Sequence, residues 1–151
     1  MNAKKVNMSQ NKLSLWLHLV WGVKNRQPLI TETVKPVLYG RIMQVANDKN
    51  YNISEINGYT DHIHLLVLLN PMHSISGIVK DFKGLTSTWL NQQKITDTYF
   101  EWQDGYGAFT VSSFMVERVK NYIKNQELHH KDADFEGEME YLKRLGDKLT
   151  V

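Results

Sequence analysis

The residues best suited to chemistry are His62 and His64, which flank Ile63 at the start of the most apolar run in the chain, His62-Ile-His-Leu-Leu-Val-Leu-Leu69. That run is closed by Asn70-Pro71, and its length suits a central strand better than a helix. Side chains alternate across a strand, so both imidazoles project from one face while Ile63, Leu65, Val67 and Leu69 project from the other. Two imidazoles on one face stand near enough to share a cation. A lone histidine there would read as the polar, solvent-facing start of a strand; the pair leaves both readings open.

A second candidate lies in Asn121-Tyr-Ile-Lys-Asn-Gln126, within a segment of helical character. Tyr122 and Gln126 are four residues apart, one above the other on a helix face. The apolar face runs through Val116, Val119 and Ile123, so Tyr122 stands beside it. A half-buried packing aromatic would look the same. A phenol titrates near pH 10 and attacks phosphorus poorly unless activated. A divalent cation held by two imidazoles and an amide oxygen would keep open positions for phosphate oxygens and stabilise a departing 3′ oxygen. Mg²⁺ and Mn²⁺ use such open, oxygen-completed sites; nitrogen ligands lean towards Mn²⁺ or Zn²⁺.

The elements that must position these groups follow from periodicity. Residues 13–24 are aromatic and aliphatic and read as a strand. Val34, Val37, Leu38, Ile42, Val45 and Ala46 have the spacing of one buried helix face. Residues 53–59 read as a short strand with a turn at Gly58-Tyr-Thr-Asp61. After the His62 strand, Ser74 can cap a helix to about residue 93 with Ile75, Ile78, Val79, Phe82, Leu85 and Trp89 inward. Residues 106–111 read as a last strand. Ser112 or Ser113 then caps one helix through roughly Lys131, and residues 134–145 form a final helix. The expected fold is α+β: a ferredoxin-like or RRM-like antiparallel sheet with helices on one face, plus a C-terminal helix carrying Tyr122. Its other face is open to carry a site.

Bulk properties bound the answer without naming it. A chain of 151 residues suits one domain, here expected over 13–151 behind a flexible segment 1–12. The 42% of hydrophobic residues can form a real core. The chain has no cysteine, which excludes disulfides and thiolate metal sites and fits a reducing cytoplasm. No apolar run suits a signal peptide or membrane span. Lys plus Arg number 18 against 16 Asp plus Glu, too balanced to announce a nucleic-acid partner. There is no Gly-x-x-x-x-Gly-Lys-Ser/Thr loop for nucleotide phosphates.

Five stretches, in order, carry a resemblance: His18-Leu-Val-Trp-Gly-Val-Lys-Asn-Arg-Gln-Pro28, Asp61-His-Ile-His-Leu-Leu66, Ile78-Val-Lys-Asp-Phe-Lys-Gly84, Trp102-Gln-Asp-Gly-Tyr-Gly-Ala-Phe-Thr-Val-Ser112 and Tyr122-Ile-Lys-Asn-Gln-Glu-Leu-His-His-Lys131. With them the chain resembles the single-tyrosine HUH transposases of bacterial and archaeal insertion sequences and their REP-associated tyrosine transposase relatives (U marks a hydrophobic residue). The resemblance implies His62 and His64 as metal ligands, Gln126 as the third, Tyr122 as nucleophile, and Mg²⁺ or Mn²⁺ as the ion. It further implies cleavage and rejoining of single-stranded DNA with subterminal hairpins, through a 5′-phosphotyrosine. A homodimer is implied too, in which a tyrosine helix can pack against the partner's HUH motif. By position, Lys24, Arg26, Lys80, Lys83, Arg118, Lys120 and Lys124 are candidates for phosphate contact. Trp16, Trp21 and Trp102 could stack bases, with core packing expected of at least two. His18, His73, His129 and His130 have no spacing that recruits them to the metal. The competing readings are a domesticated hairpin-nicking relative, a non-catalytic RRM-like nucleic-acid-binding module, and a zinc hydrolase, which lacks a third ligand of fixed spacing.

Overall fold

The computed structural model of the chain describes residues 11–130 and 134–149. Most of the expected flexible segment 1–12 lies outside the described residues. Four strands, β1 (Trp16–Gly22), β2 (Asn52–Gly58), β3 (His62–Leu68) and β4 (Gly107–Val111), form one antiparallel sheet in the order β2-β3-β1-β4. With α1 (Val34–Lys49) between β1 and β2, and α2 (Ile75–Gln92) between β3 and β4, this is the ferredoxin-like order expected.

Period-two alternation sorts the two faces of the sheet. Leu17, Leu19 and Trp21 of β1 and Ile63, Leu65 and Val67 of β3 are buried together against Leu38, Ile42 and Val45 of α1 and Ile78, Val79 and Phe82 of α2. Burying each such aliphatic side chain contributes roughly 1.5–3 kcal/mol, so this layer is the main stabilising core. Pro36 sits in the first turn of α1, where its missing N–H costs nothing. Asn50 ends that helix in the left-handed region at φ 59°. Ser74 caps α2 as expected, its Oγ accepting from Gly77 N at 3.0 Å. Two inward assignments fail: Val37 and Leu85 are 36% and 38% exposed. Thr86 is buried in α2 instead, because its hydroxyl donates to Phe82 O at 2.5 Å and accepts from Trp102 Nε1 at 3.0 Å.

The opposite face is roofed by the C-terminal helices. The helix expected to run from Ser112 or Ser113 through about Lys131 is interrupted. A 3₁₀ turn over Ser113–Met115, with no side-chain cap from Ser112, leads into α3 (Val116–Lys124). The chain breaks at Asn125, φ −98° and ψ 26°, before the single turn α4 (Gln126–His129). Beyond it lies α5 (Phe135–Leu149). Val116 and Ile123 pack on Leu66 and Val111, and Phe135 and Leu142 pack beside Val20. No helix of the described residues is long and apolar enough to cross a membrane.

Candidate active site

Beneath that roof, β3 supplies two imidazoles from one face. His64 is paired with Val20 on β1 and with Asn57 on β2, and His62 with Gly22. Both histidines are completely buried. Two glycines make room for this edge of the sheet. A Cβ at Gly58 would meet His62 O at 2.2 Å, and one at Gly22 would meet the Phe135 ring at 3.2 Å. Phe135 instead stacks on the His62 ring, centroids 4.5 Å apart.

Each imidazole is held from behind at Nδ1. Asp61 Oδ1 lies 2.7 Å from His62 Nδ1, and His18 Nε2 lies 2.7 Å from His64 Nδ1. Burial, with the neighbouring His64, drives His18 down to about 3, and burial drives His64 to about 4, so both rings are neutral near pH 7. Burial would lower His62 as well, but the Asp61 and Glu138 carboxylates outweigh it and hold His62 above the usual histidine value.

The helices supply the rest. Gln126, fully buried, places Oε1 3.3 Å from His62 Nε2 and 3.1 Å from His130 Nε2. The Tyr122 ring stacks on His129 at 4.4 Å and stands edge-on to His64 at 6.0 Å. Its hydroxyl donates to Glu138 Oε1 at 2.6 Å. Burial, reinforced by that carboxylate, pushes the phenol far above its ordinary range and holds it protonated. Glu138 sits in the first turn of α5, where Asp134 Oδ1 accepts from Gly137 N at 2.9 Å and caps the helix. Its Oε1 lies 2.9 Å from His64 Nε2; its Oε2 lies 3.1 Å from His62 Nε2 and 2.8 Å from His130 Nε2. Burial raises the Glu138 carboxyl, but His130, His62 and His64 outweigh it and hold it well below the usual carboxylate range.

These groups suit a divalent cation. His62, His64 and Glu138 each offer one donor atom, all within 4.8 Å of one another. His64 Nε2 and Glu138 Oε2 are buried and make no well-formed hydrogen bond despite their close neighbours, as expected of lone pairs converging on a common point. Ligands roughly 2.1 Å from an octahedral ion stand about 3 Å apart at right angles, close to the spacing found. Gln126 Oε1 is at hand for the same centre, one contact away through His62.

The structure therefore brings together His62, His64, Tyr122 and Gln126, and adds four residues that sequence reasoning missed. His18 and His130 have no metal spacing in the sequence, yet His18 backs His64 and His130 faces Glu138 and Gln126. His129, which likewise has no metal spacing, packs on Tyr122. Glu138 had a usable signal. Phe135, Glu138 and Leu142 recur at helical spacing, which puts a carboxylate on an otherwise apolar stripe.

The basic candidates do not share one patch. Lys24 and Lys83 line a cleft of about 430 Å³ with Trp102 and Asp104. Arg118, Lys120 and Lys124 lie on α3, the last 3.8 Å from Glu55. Lys80 is exposed on α2, and Arg26 pairs with Glu136 of α5 at 2.9 Å. Trp21 and Trp102 are core residues, and Trp16 is partly buried against the roof.

Comparison with known proteins gives a consistent picture. Residues 11–126 match the family described as "Transposase IS200 like". The chain is 25% identical over 114 residues to the ISDra2 transposase TnpA of Deinococcus radiodurans, covering 72% of this chain and 81% of that one. It is 28% identical over 115 residues to the transposase for insertion sequence element IS200 of Salmonella typhimurium, covering 72% and 74%. Among solved structures, a putative transposase from Deinococcus radiodurans superposes with a TM-score of 0.63 at 24% identity, over 82% of this chain and 98% of that one. A REP-associated tyrosine transposase bound to a REP hairpin gives 0.60 at 17% identity, over 82% and 74%. The family match ends at Gln126, so Glu138 lies outside it.

Proposed function

Because the chain belongs to the IS200-like transposase family, we propose that it cuts and rejoins single-stranded DNA at insertion-sequence ends by metal-assisted transesterification, with Tyr122 as nucleophile. One observation carries this reading. The Tyr122 hydroxyl and the His64 nitrogen contact the same carboxylate oxygen, Glu138 Oε1, at 2.6 and 2.9 Å. Nucleophile and cation seat are thus adjacent within a single chain, a separation that one phosphate group can span.

In this reading His62, His64 and Glu138 hold the ion, with Gln126 Oε1 as the amide oxygen beside them. Bound Mg²⁺ or Mn²⁺ would neutralise charge on the scissile phosphate. The chain's own groups do the rest. His129 stacks on the Tyr122 ring and, with Glu138, fixes the direction of the hydroxyl. At rest the phenol stays neutral. On attack, the Tyr122 oxygen forms a bond to phosphorus as the bond from phosphorus to O3′ breaks. The proton lost by the phenol is balanced by the proton gained by O3′. The product is a 5′-phosphotyrosine and a free 3′ hydroxyl. A 3′ hydroxyl from another strand reverses the step and reseals the DNA, so no nucleotide is hydrolysed.

The partner in this reading is single-stranded DNA with subterminal hairpins, supported by the hairpin bound in one structural relative. Lys24 and Lys83 in their cleft, and Arg118, Lys120 and Lys124 on α3, are the groups positioned to meet its phosphates. The working unit is proposed to be a homodimer.

The deciding experiment incubates the protein with labelled single-stranded DNA carrying a candidate element end, plus Mg²⁺ or Mn²⁺. The expected result is a covalent protein–5′-DNA adduct that Tyr122→Phe abolishes. An adduct that survives this substitution would falsify the nucleophile. Cleavage to free ends with no adduct at any time would instead make the protein a hydrolase.

A further inference from the structure

A metal-binding imidazole must present a lone pair at the coordinating nitrogen, so its proton sits on the other nitrogen. When the ring is buried, that second N–H needs an acceptor. For His62 the acceptor is a carboxylate, Asp61 Oδ1, which can only accept. For His64 the neighbour at Nδ1 is another imidazole, His18 Nε2, at 2.7 Å and with only 2% of His18 exposed. Two neutral imidazoles can share one proton in either direction, so this contact alone leaves the direction open.

The far side of His64 decides it. Glu138 Oε1 stands 2.9 Å from His64 Nε2, yet that nitrogen makes no well-formed hydrogen bond. A proton placed there would be badly aimed at a carboxylate close by. The proton therefore belongs on Nδ1, donated to His18 Nε2, and His18 carries its own on Nδ1. We infer that His18 is a positioning residue: it fixes the ring orientation and tautomer of His64 so that Nε2 faces the cation with its lone pair. The inference rests on the proposed reading of His64 as a ligand.

Sheet register makes His18 available for this role. His18 pairs with Leu66, and His64 with Val20, so the two histidines are diagonal neighbours on one sheet face. His18 is not itself a ligand, because its Nε2 is engaged by His64. Phe109 and Tyr122 pack around its ring, each with centroids 6.1 Å away, and keep it in place. Without His18 a buried Nδ1–H has no acceptor at all, so the poorly aimed contact from Nε2–H to Glu138 becomes the less costly one and the proton would move to Nε2. The cation would then have to displace it.

The test uses the full chain, Mn²⁺ titration calorimetry, and long-range ¹H–¹⁵N NMR of the His64 ring in metal-free protein. Metal-free wild type should show the Nδ1–H tautomer of His64; an Nε2–H tautomer there overturns the inference without any variant. His18→Phe keeps a flat ring but no acceptor; it should move His64 to the Nε2–H tautomer and weaken Mn²⁺ binding about 10- to 100-fold. His18→Gln, whose side-chain oxygen reaches about as far as Nε2, should restore the Nδ1–H tautomer and most of the affinity. A purely structural His18 would give a lower metal-free melting temperature in His18→Phe with tautomer and Mn²⁺ affinity unchanged. His64→Ala separates the two levels. If it abolishes Mn²⁺ binding while His18→Phe leaves it intact, this inference alone fails. If His64→Ala binds Mn²⁺ like wild type, the metal reading fails and the inference with it.

Discussion

His62 and His64 sit on a strand hydrogen-bonded on both sides, whereas Tyr122, Gln126 and Glu138 hang from three helices that reach the same point from above. The strand half is locked by register: β1 and β2 flank β3, and a slip of one residue would turn both imidazoles into the opposite layer. The helical half is held by small clusters, Leu66 with Val111, Val116 and Ile123, and Val20 with Phe135 and Leu142. A side-chain tie, Asn57 Nδ2 to Lys124 O at 3.0 Å, pins the end of α3 to β2 beside the Lys124–Glu55 ion pair at 3.8 Å. The two imidazoles of the cation seat are thus fixed by the sheet, while Glu138, Gln126 and the nucleophile are brought to them by helices held on smaller clusters.

The largest expected effect falls on the strand half. His64→Ala should weaken Mn²⁺ binding by more than about 100-fold, beyond the range typical of outer-shell changes, and abolish adduct formation. A loss equalled by Gln126→Ala would break the distinction between the halves.

Acid should expose the cost of keeping the strand half neutral. His18 and His64 have folded values near 3 and 4, below the unfolded value of 6.5. Between those values the unfolded chain binds more protons than the folded one, so their contribution to stability is present above about pH 6.5 and lost as pH falls through 4 and 3. His62, whose folded value is raised, works the other way: its contribution is full below pH 6.5 and lost above its own value. Two lowered rings against one raised ring should leave the metal-free protein on the order of a few kcal/mol less stable at pH 4 than at pH 7. Urea melts at a series of pH values would measure it. His18→Gln should flatten the slope; an unchanged slope would place the charge elsewhere.

On the helical half, Glu138→Ala should reduce Mn²⁺ affinity by about tenfold, less than His64→Ala. It should also bring the Tyr122 phenol down towards its ordinary range without reaching it, because burial, the larger cause, remains. Ultraviolet titration of tyrosinate reads this directly. A Tyr122 titration identical to wild type would show that the carboxylate does not hold the hydroxyl.

The smallest effect is expected at the tie between the halves. Asn57→Ala removes one partly exposed hydrogen bond and should cost about 1 kcal/mol or less. Mn²⁺ affinity should stay at the wild-type value while adduct formation slows. A drop in affinity would mean that α3 also shapes the cation seat.

Much of the fold was legible in the sequence because strands and amphipathic helices repeat with fixed periods. The order of elements, the two-faced β3 and the capped α2 all follow from local pattern. The single long helix that periodicity predicts beyond β4 is instead broken in two. Val116 and Ile123 do face the core, but the break at Asn125 carries no glycine or proline to announce it. That break matters, since Gln126 and His130, which lie beyond it, meet at the His62 imidazole and the Glu138 carboxylate.

By itself, the sequence determined that His62 and His64 share a face and that Tyr122 and Gln126 share another, because positions two apart on a strand and four apart on a helix are neighbours by geometry alone. Resemblance then joined the two pairs. Only the tertiary structure decided that a carboxylate from α5 joins nucleophile to histidines, and that a histidine from β1 stands behind His64. Those contacts span 16 and 46 residues. No period carries such information: it resides in strand register and in where a helix lands on the sheet, which packing fixes only when the whole chain is folded.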